Sequence, residues 1–291
     1  MNVLRPNQDR NVRSRFAISG IIFFMSVVSY SCSNSQLPDY YQLGKLRILA
    51  LQASSPELNP PGTTVITPVI TDLNGAGRTL PYRLEGCLDP GIELGVAATC
   101  DRDPQKTSRT GILALTAPHY TGPVTLTDGS IPIPIAALAG WSEAEKFNGV
   151  PYLIVFTLTP ADGLPVIAYR RILTSTRTTL NANPTLTAIQ VAGQDLASLP
   201  GTIQPLQPVV GAGSAETYFY QLASGAHITQ VEQLTVDWFV SAGKMKFSRT
   251  DASSTDEWEP PAITPGVAPF LFGIIRDDRG GVGYLPGPVG P

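Results

Sequence analysis

The sequence predicts an all-β protein made of two antiparallel sandwiches, and three observations lead there. Charged residues make up only 15% of the 291-residue chain while Gly and Pro number 27 each, the balance of a protein with many turns. Short runs rich in Val, Ile, Leu and Thr recur between those turns, as strands do. No apolar period of helical length is visible, and no unit of roughly 20–50 residues repeats. An apolar fraction of 43% excludes a disordered chain. The length allows two domains of ordinary size, each with its own core.

The first residues stand outside that fold. Arg5, Arg10, Arg13 and Arg15 form a basic region, and Phe16 to Val28 an apolar one. The apolar run is shorter than the roughly 20 residues needed to cross a hydrocarbon core. Basic then apolar, in this order, is the pattern of a signal peptide, here residues 1–31. It ends in Ser29-Tyr30-Ser31-Cys32, followed by the polar Ser33-Asn34-Ser35. On these residues the chain resembles a bacterial lipoprotein precursor, in which a small residue precedes the Cys that becomes the lipidated mature N-terminus. Ser31 fits that pattern, whereas Ser29 stands where such precursors carry an aliphatic residue. The resemblance implies lipidation of Cys32 (palmitate among the chains), a tether over 32–45 and a place in the bacterial cell envelope. Ser33 in second place implies the outer membrane. Acyl chains add about 0.8 kcal/mol per buried methylene, so two or more hold a protein at a membrane without a spanning helix.

The formal net charge is −3, and loss of residues 1–31 removes Arg residues and makes the chain more acidic still. No run of Lys or Arg remains to neutralise phosphates, which excludes nucleic acid as a partner.

Domain one is expected over residues 46–173. Leu46 to Gln52 reads as an apolar strand, Pro56 to Gly62 as a turn, and Thr63 to Thr71 as a β-branched strand. The stretch LRILALQASSPELNPPGTTVITPVITD resembles the opening of Ig-like or PKD-like modules in bacterial envelope lipoproteins. Cys87 and Cys100, an even pair in an exported chain, predict a disulfide. Closing a loop of about 14 residues is worth roughly 3 kcal/mol. The spacing is too short for the inter-sheet bridge of antibody domains, so it staples the loop Leu88 to Thr99. A redox or metal role would need closer Cys spacing and a nearby His. Short strands follow at Ile112–Thr116, Val124–Leu126 and Ile131–Ala137, within a long insertion between Cys87 and Gly149. Tyr152–Leu158 and Val166–Leu173 then pair across Pro160-Ala161-Asp162-Gly163, a hairpin signal.

Thr174 to Asn183 is polar and reads as a linker, with the two domains expected to unfold separately. Domain two, residues 184–291, opens with Pro184–Val191, followed by strands at Thr202–Val210 and Thr217–Tyr220. Leu234, Val236, Trp238 and Val240 alternate with Thr235, Asp237 and Phe239, the period of a half-buried strand. A loop over Glu259–Gly266 leads to a second apolar run, Phe270–Ile275, which the turn Asp277–Gly281 joins to a short last strand. A strand with a central Trp, a long loop and a closing hairpin give the layout of an Ig-like sandwich. Trp238 is then the core aromatic, and Trp258 lies at a loop edge. Asp277 and Asp278 before two glycines read as turn chemistry, with no DxDxDG loop for calcium. The tail Leu285–Pro291 carries prolines that cannot donate to a ladder, so the last strand is short or at an edge.

The sequence predicts no enzyme, cofactor or metal. His119 and His227 are the only imidazoles, and neither lies in a recognisable triad or metal motif. No nucleophile elbow, phosphate loop or dinucleotide fingerprint is present. Paired carboxylates assembled in space stay open. Two functional readings remain. One is a non-catalytic surface scaffold or protein-binding module with an envelope or extracellular protein as partner. The alternative is a carbohydrate- or peptidoglycan-binding module that stacks sugar on Trp141, Tyr218, Tyr220 or Trp258.

Overall fold

The computed structural model describes residues 39–161, 163–191, 194–195, 202–261 and 269–288. The expected signal peptide, Cys32, most of the expected tether and the last residues of the tail lie outside them. Among the described residues no helix is long and apolar enough to cross a membrane. The chain is all-β, and from Tyr40 onward it forms one unit.

Residues up to 174 supply β1 (Arg47–Ala53), β2 (Glu57–Leu58), β3 (Gly62–Asp72), β4 (Arg78–Leu88), β5 (Thr107–Leu115), β6 (Tyr120–Pro123) and β7 (Ser130–Ile133). A short helix α1 (Glu143–Asn148), β8 (Val150–Leu158) and β9 (Val166–Thr174) complete this half. One sheet has the order β1-β3-β6, with β7 also on β3, and the other the order β2-β9-β8-β4-β5. Ile66, Ile70, Leu84, Leu115, Ile154 and Phe156 fill the space between them. Pairing is antiparallel except where β2 runs parallel to the end of β9.

Strand β4 has no counterpart in the sequence reading. Leu80, Tyr82 and Leu84 point inward while Pro81 and Arg83 face out, so its period of two is plain only once burial is known. Strand β5 likewise begins at Thr107, well before the expected Ile112, because its first residues are polar. Helix α1 is absent from the sequence reading too, being only six residues long. It is set by a capping box in which the Glu145 amide donates to Ser142 Oγ and the Ser142 amide donates to Glu145 Oε2.

The second half holds β10 (Leu186–Val191), β11 (Gln194–Asp195), β12 (Gln204–Val210), β13 (Thr217–Gln221), β14 (His227–Val231) and β15 (Thr235–Val240). It ends with β16 (Lys244–Met245), β17 (Arg249–Asp251), β18 (Asp256–Glu259), β19 (Phe270–Arg276) and β20 (Val282–Pro288). Sheets β11-β10-β12-β18-β16 and β17-β15-β19-β20 enclose Trp238, Trp258, Leu206, Leu271 and Ile275. Strands β13 and β14 form a separate two-stranded ribbon. Strand β20 is at a sheet edge, where its prolines cost no ladder bond.

Four expectations are corrected. Trp258 is not at a loop edge: it is fully buried on β18, opposite Gln204 and Met245. Strand β15 is buried on both faces rather than one, because Phe239 packs with Leu43, Leu49 and Val69 of the first half while Trp238 fills the second core. The segment 174–183 is not an exposed linker. Thr174, Ser175, Arg177 and Asn181 are buried, and Asn183 Nδ2 donates to the Ala53 carbonyl while its Oδ1 accepts from the Val282 amide. The end of the expected tether is also fixed, since Gln42 bridges to Val240 and the Leu43 amide donates to the Val240 carbonyl at 2.7 Å.

Candidate functional site

Cys87 and Cys100 are joined by a disulfide, with Cα atoms 5.7 Å apart. Both are buried with Ala98, Leu153 and Val155, so the loop is stapled onto the outer face of β8. Cys32 lies outside the described residues. The two imidazoles are far from any common site: His119 contacts the Leu73 carbonyl through Nδ1, whereas His227 stacks on Phe147 at 4.9 Å. Among the described residues no three His, Cys, Asp or Glu side chains converge as metal ligands. Asp277 shapes its own turn, its Oδ1 accepting from the Arg279 and Gly281 amides.

Of the four aromatics proposed to stack sugar, Trp258 is in the core, and Tyr218 lies between two guanidinium groups. Arg279 Cζ is 4.6 Å from its ring centroid and Arg177 Cζ 5.3 Å. Trp141 and Tyr220 remain exposed.

The Tyr218 contacts open onto a buried charge network that the sequence reading did not find. Arg279 NH2 donates to Glu57 Oε2, and its NH1 to Glu232 Oε1 at 3.2 Å. Arg177 Nε stands 3.9 Å from Glu57 Oε1 and donates to the Phe147 carbonyl at 2.8 Å. The Asn181 amide donates to Glu57 Oε2 at 2.8 Å. Burial lowers the Arg177 pKa, with Glu57 opposing. Burial also pushes the Glu232 carboxyl up to about 7, although the Glu216 amide hydrogen bond favours its charged form. Glu232 and Asp251 both line a cleft of about 540 Å³. Glu232 cannot act freely there, because its two oxygens are taken by Arg279 and the Glu216 amide.

The β13–β14 ribbon rests on this network. Asn148 of α1 behaves as a strand neighbour of β13: its Nδ2 donates to the Gln221 carbonyl and its Oδ1 accepts from the Gln221 amide, both at 2.7 Å. Register pairs Thr217 with Val231 and Phe219 with Thr229. That places all four on one face, and all four are exposed, Phe219 by 57% and Val231 by 61%. The opposite face carries Tyr220 and Ile228, also exposed. No residue from Thr217 to Val231 is Lys, Arg, Asp or Glu. The outer edge of β14 has no strand partner among the described residues. A lone ribbon is marginally stable by itself, and contiguous apolar exposure marks an interaction surface.

No protein-family profile and no curated protein sequence matches the chain. Among solved structures it is similar to red sea bream transglutaminase, with 10% identity, a TM-score of 0.28, and coverage of 86% of this chain and 32% of that one. The chain therefore spans about a third of the transglutaminase's length. It is also similar to the Bacillus subtilis sporulation control protein Spo0M, with 10% identity, a TM-score of 0.25, and coverage of 84% and 91%. Likenesses this remote assign no activity.

Proposed function

We propose that the chain is a non-catalytic, lipid-anchored protein of the bacterial cell envelope, two Ig-like sandwiches long, that docks a protein partner on its β13–β14 ribbon. The observation that supports the docking is the ribbon itself, free of charged residues, with Phe219 and Val231 exposed on one face and the outer edge of β14 unpaired among the described residues. An extended partner segment would add a strand to that edge, its main chain supplying affinity and the Phe219 and Val231 side chains selectivity. The absence of charge suits an apolar protein segment better than an anionic surface. The anchor rests on the resemblance around Cys32 alone, in the outer membrane by the Ser33 pattern.

A photo-crosslinking residue at Val231, in the protein expressed in its own envelope, tests the docking against the same residue at exposed Lys244. A discrete protein adduct from position 231 only is expected. An adduct with glycan, equal adducts from both positions, or none at all would refute it. Mass spectrometry of the native N-terminus tests the anchor, where an unmodified terminus beyond Cys32 would remove that part of the reading.

A further inference from the structure

A second feature, away from the ribbon, lies where the two halves meet. Between β1, β9 and the turn joining β19 to β20 is a cleft of about 310 Å³. Strand β9 pairs with β2 only at Leu173 and Thr174; among the described residues the rest of that edge carries no strand, and Ala168 to Arg171 line the cleft. Arg170, Arg171 and Arg276 line it, against one acid, Asp277.

Arg170 is only 8% exposed. Its NH1 donates to the Leu51 carbonyl at 2.5 Å and its NH2 to the Gly280 carbonyl. Those contacts leave its Nε buried without a hydrogen-bond partner, and among the described residues Arg170 forms no ion pair. Asp277 offsets part of that charge through space but makes no hydrogen bond to Arg170 among the described residues, its oxygens accepting from the Arg279 and Gly281 amides and from Asn181 Nδ2. Arg276 Nε donates to Asp237 Oδ2 at 2.7 Å, but the same carboxylate also takes Arg249 Nε at 2.5 Å. Arg171 is held by Asp89 at 2.5 Å and stays half exposed. A buried cation without a hydrogen-bonded counter-charge is costly. Burial and then repulsion from Arg276 lower the Arg170 pKa to about 10, with Asp277 partly opposing.

The geometry points to an oxyanion site, in which a carboxylate, sulfate or phosphate group binds in the cleft against the Arg170 and Arg276 guanidinium groups, with Arg171 and Tyr169 at the mouth. Such a group adds negative charge beside Arg170, which no carboxylate meets in hydrogen-bond contact among the described residues. Guanidinium forks match planar and tetrahedral oxyanions with directed pairs of hydrogen bonds. The volume is at the small end of ligand sites, which run from about 300 to 1,000 Å³. It admits one small acid or the acidic group of a sugar.

The test is isothermal titration of the intact exported chain in chloride-free buffer. Inorganic phosphate, sulfate and citrate form one arm, and galacturonate and glucose 6-phosphate the other; the tighter arm identifies free acid or acidic sugar as the source. One saturable site per chain is expected, weakened about tenfold or more in Arg276→Gln by loss of a charged hydrogen bond and unchanged in Arg109→Gln, outside the cleft. Arg170→Lys should bind more weakly while keeping the charge. Should that variant fail to fold, the wild type and Arg276→Gln still decide. Crystals soaked in tungstate should show the metal beside Arg170. Absence of saturable binding, equal affinity in Arg276→Gln, or tungstate only at other sites would overturn the assignment.

Discussion

Replacing Phe272 by Ala attacks the contact on which the relation of the two halves depends. Phe272 is fully buried on β19, directly opposite Phe239 on β15, with its ring 6.2 Å from that of Tyr284. It belongs to one apolar cluster with Leu43, Leu49, Ala50, Val69 and Leu73 of the first half and Ile274 and Val282 of the second. Deleting a buried Phe side chain to Ala costs about 3–5 kcal/mol, transfer and cavity together. Against the roughly 5–15 kcal/mol stability of a domain that is a large loss. Because the cluster is shared, and because Glu57 and Arg279 join the halves a second time, both should lose stability together. Calorimetry of the wild type should give one transition with equal calorimetric and van't Hoff enthalpies. Hydrogen exchange in Phe272→Ala should accelerate in β8 as well as in β15. Two separate transitions, or β8 protection unchanged in the variant, would show that the halves unfold independently, as the polar composition of residues 174–183 suggests.

Other perturbations have defined outcomes. Removing the disulfide by replacing Cys87 and Cys100 with Ala should lower stability by about 3 kcal/mol for a loop of this length, read as the shift of the urea midpoint in non-reducing buffer. Glu232 has an ordinary pKa of 4.5 and one of about 7 in the fold. Between those values the folded chain holds a proton that the unfolded chain has released, so stability should fall as pH rises through that window. Glu232→Gln should flatten that fall, and an unaltered slope would contradict the assignment. Gly243 has φ of +89°, and a Cβ there would sit 2.4 Å from the Glu259 carbonyl. Gly243→Ala should therefore cost about 1–3 kcal/mol, seen as a lower melting temperature, and a neutral result would refute the strain.

Strands built of β-branched and apolar residues were legible in the sequence, and β3, β8, β15 and β19 lie close to where their pattern puts them. What escaped notice was decided by partners far along the chain. Strand β4 carries Glu85, a buried acid that looks like a loop residue until Lys106 is seen 2.8 Å away. Trp258, flanked by Glu257 and Glu259, looks exposed, yet alternation on β18 sends the acids outward and the indole into the core. Strand β14 has neither charge nor a continuous apolar run, and only the contacts of its partner β13 with Asn148 of α1 show where the ribbon sits.

Residues 174–183 were misread for the same reason, and the reading was wrong in a physically informative way. Polar residues there signal a solvated linker only if water is their partner. Here Arg177, Asn181 and Asn183 find Glu57, Asp277, Ala53 and Val282 instead. A buried ion pair adds little net stability over apolar residues of the same shape, but breaking one is costly. The apolar cluster around Phe239 and Phe272 can hold the halves together while leaving their relative angle loosely specified, since apolar contact is not directional. The Glu57–Arg279–Glu232 contacts are directional, and they are satisfied only when β2, the β19–β20 turn and the Glu232 segment after β14 meet in one arrangement. Cohesion and orientation are thus divided between two kinds of contact at the junction. Arg170, donating to Leu51 on one half and Gly280 on the other, belongs to the orienting kind, which ties the geometry of the oxyanion cleft to the fit of the two halves.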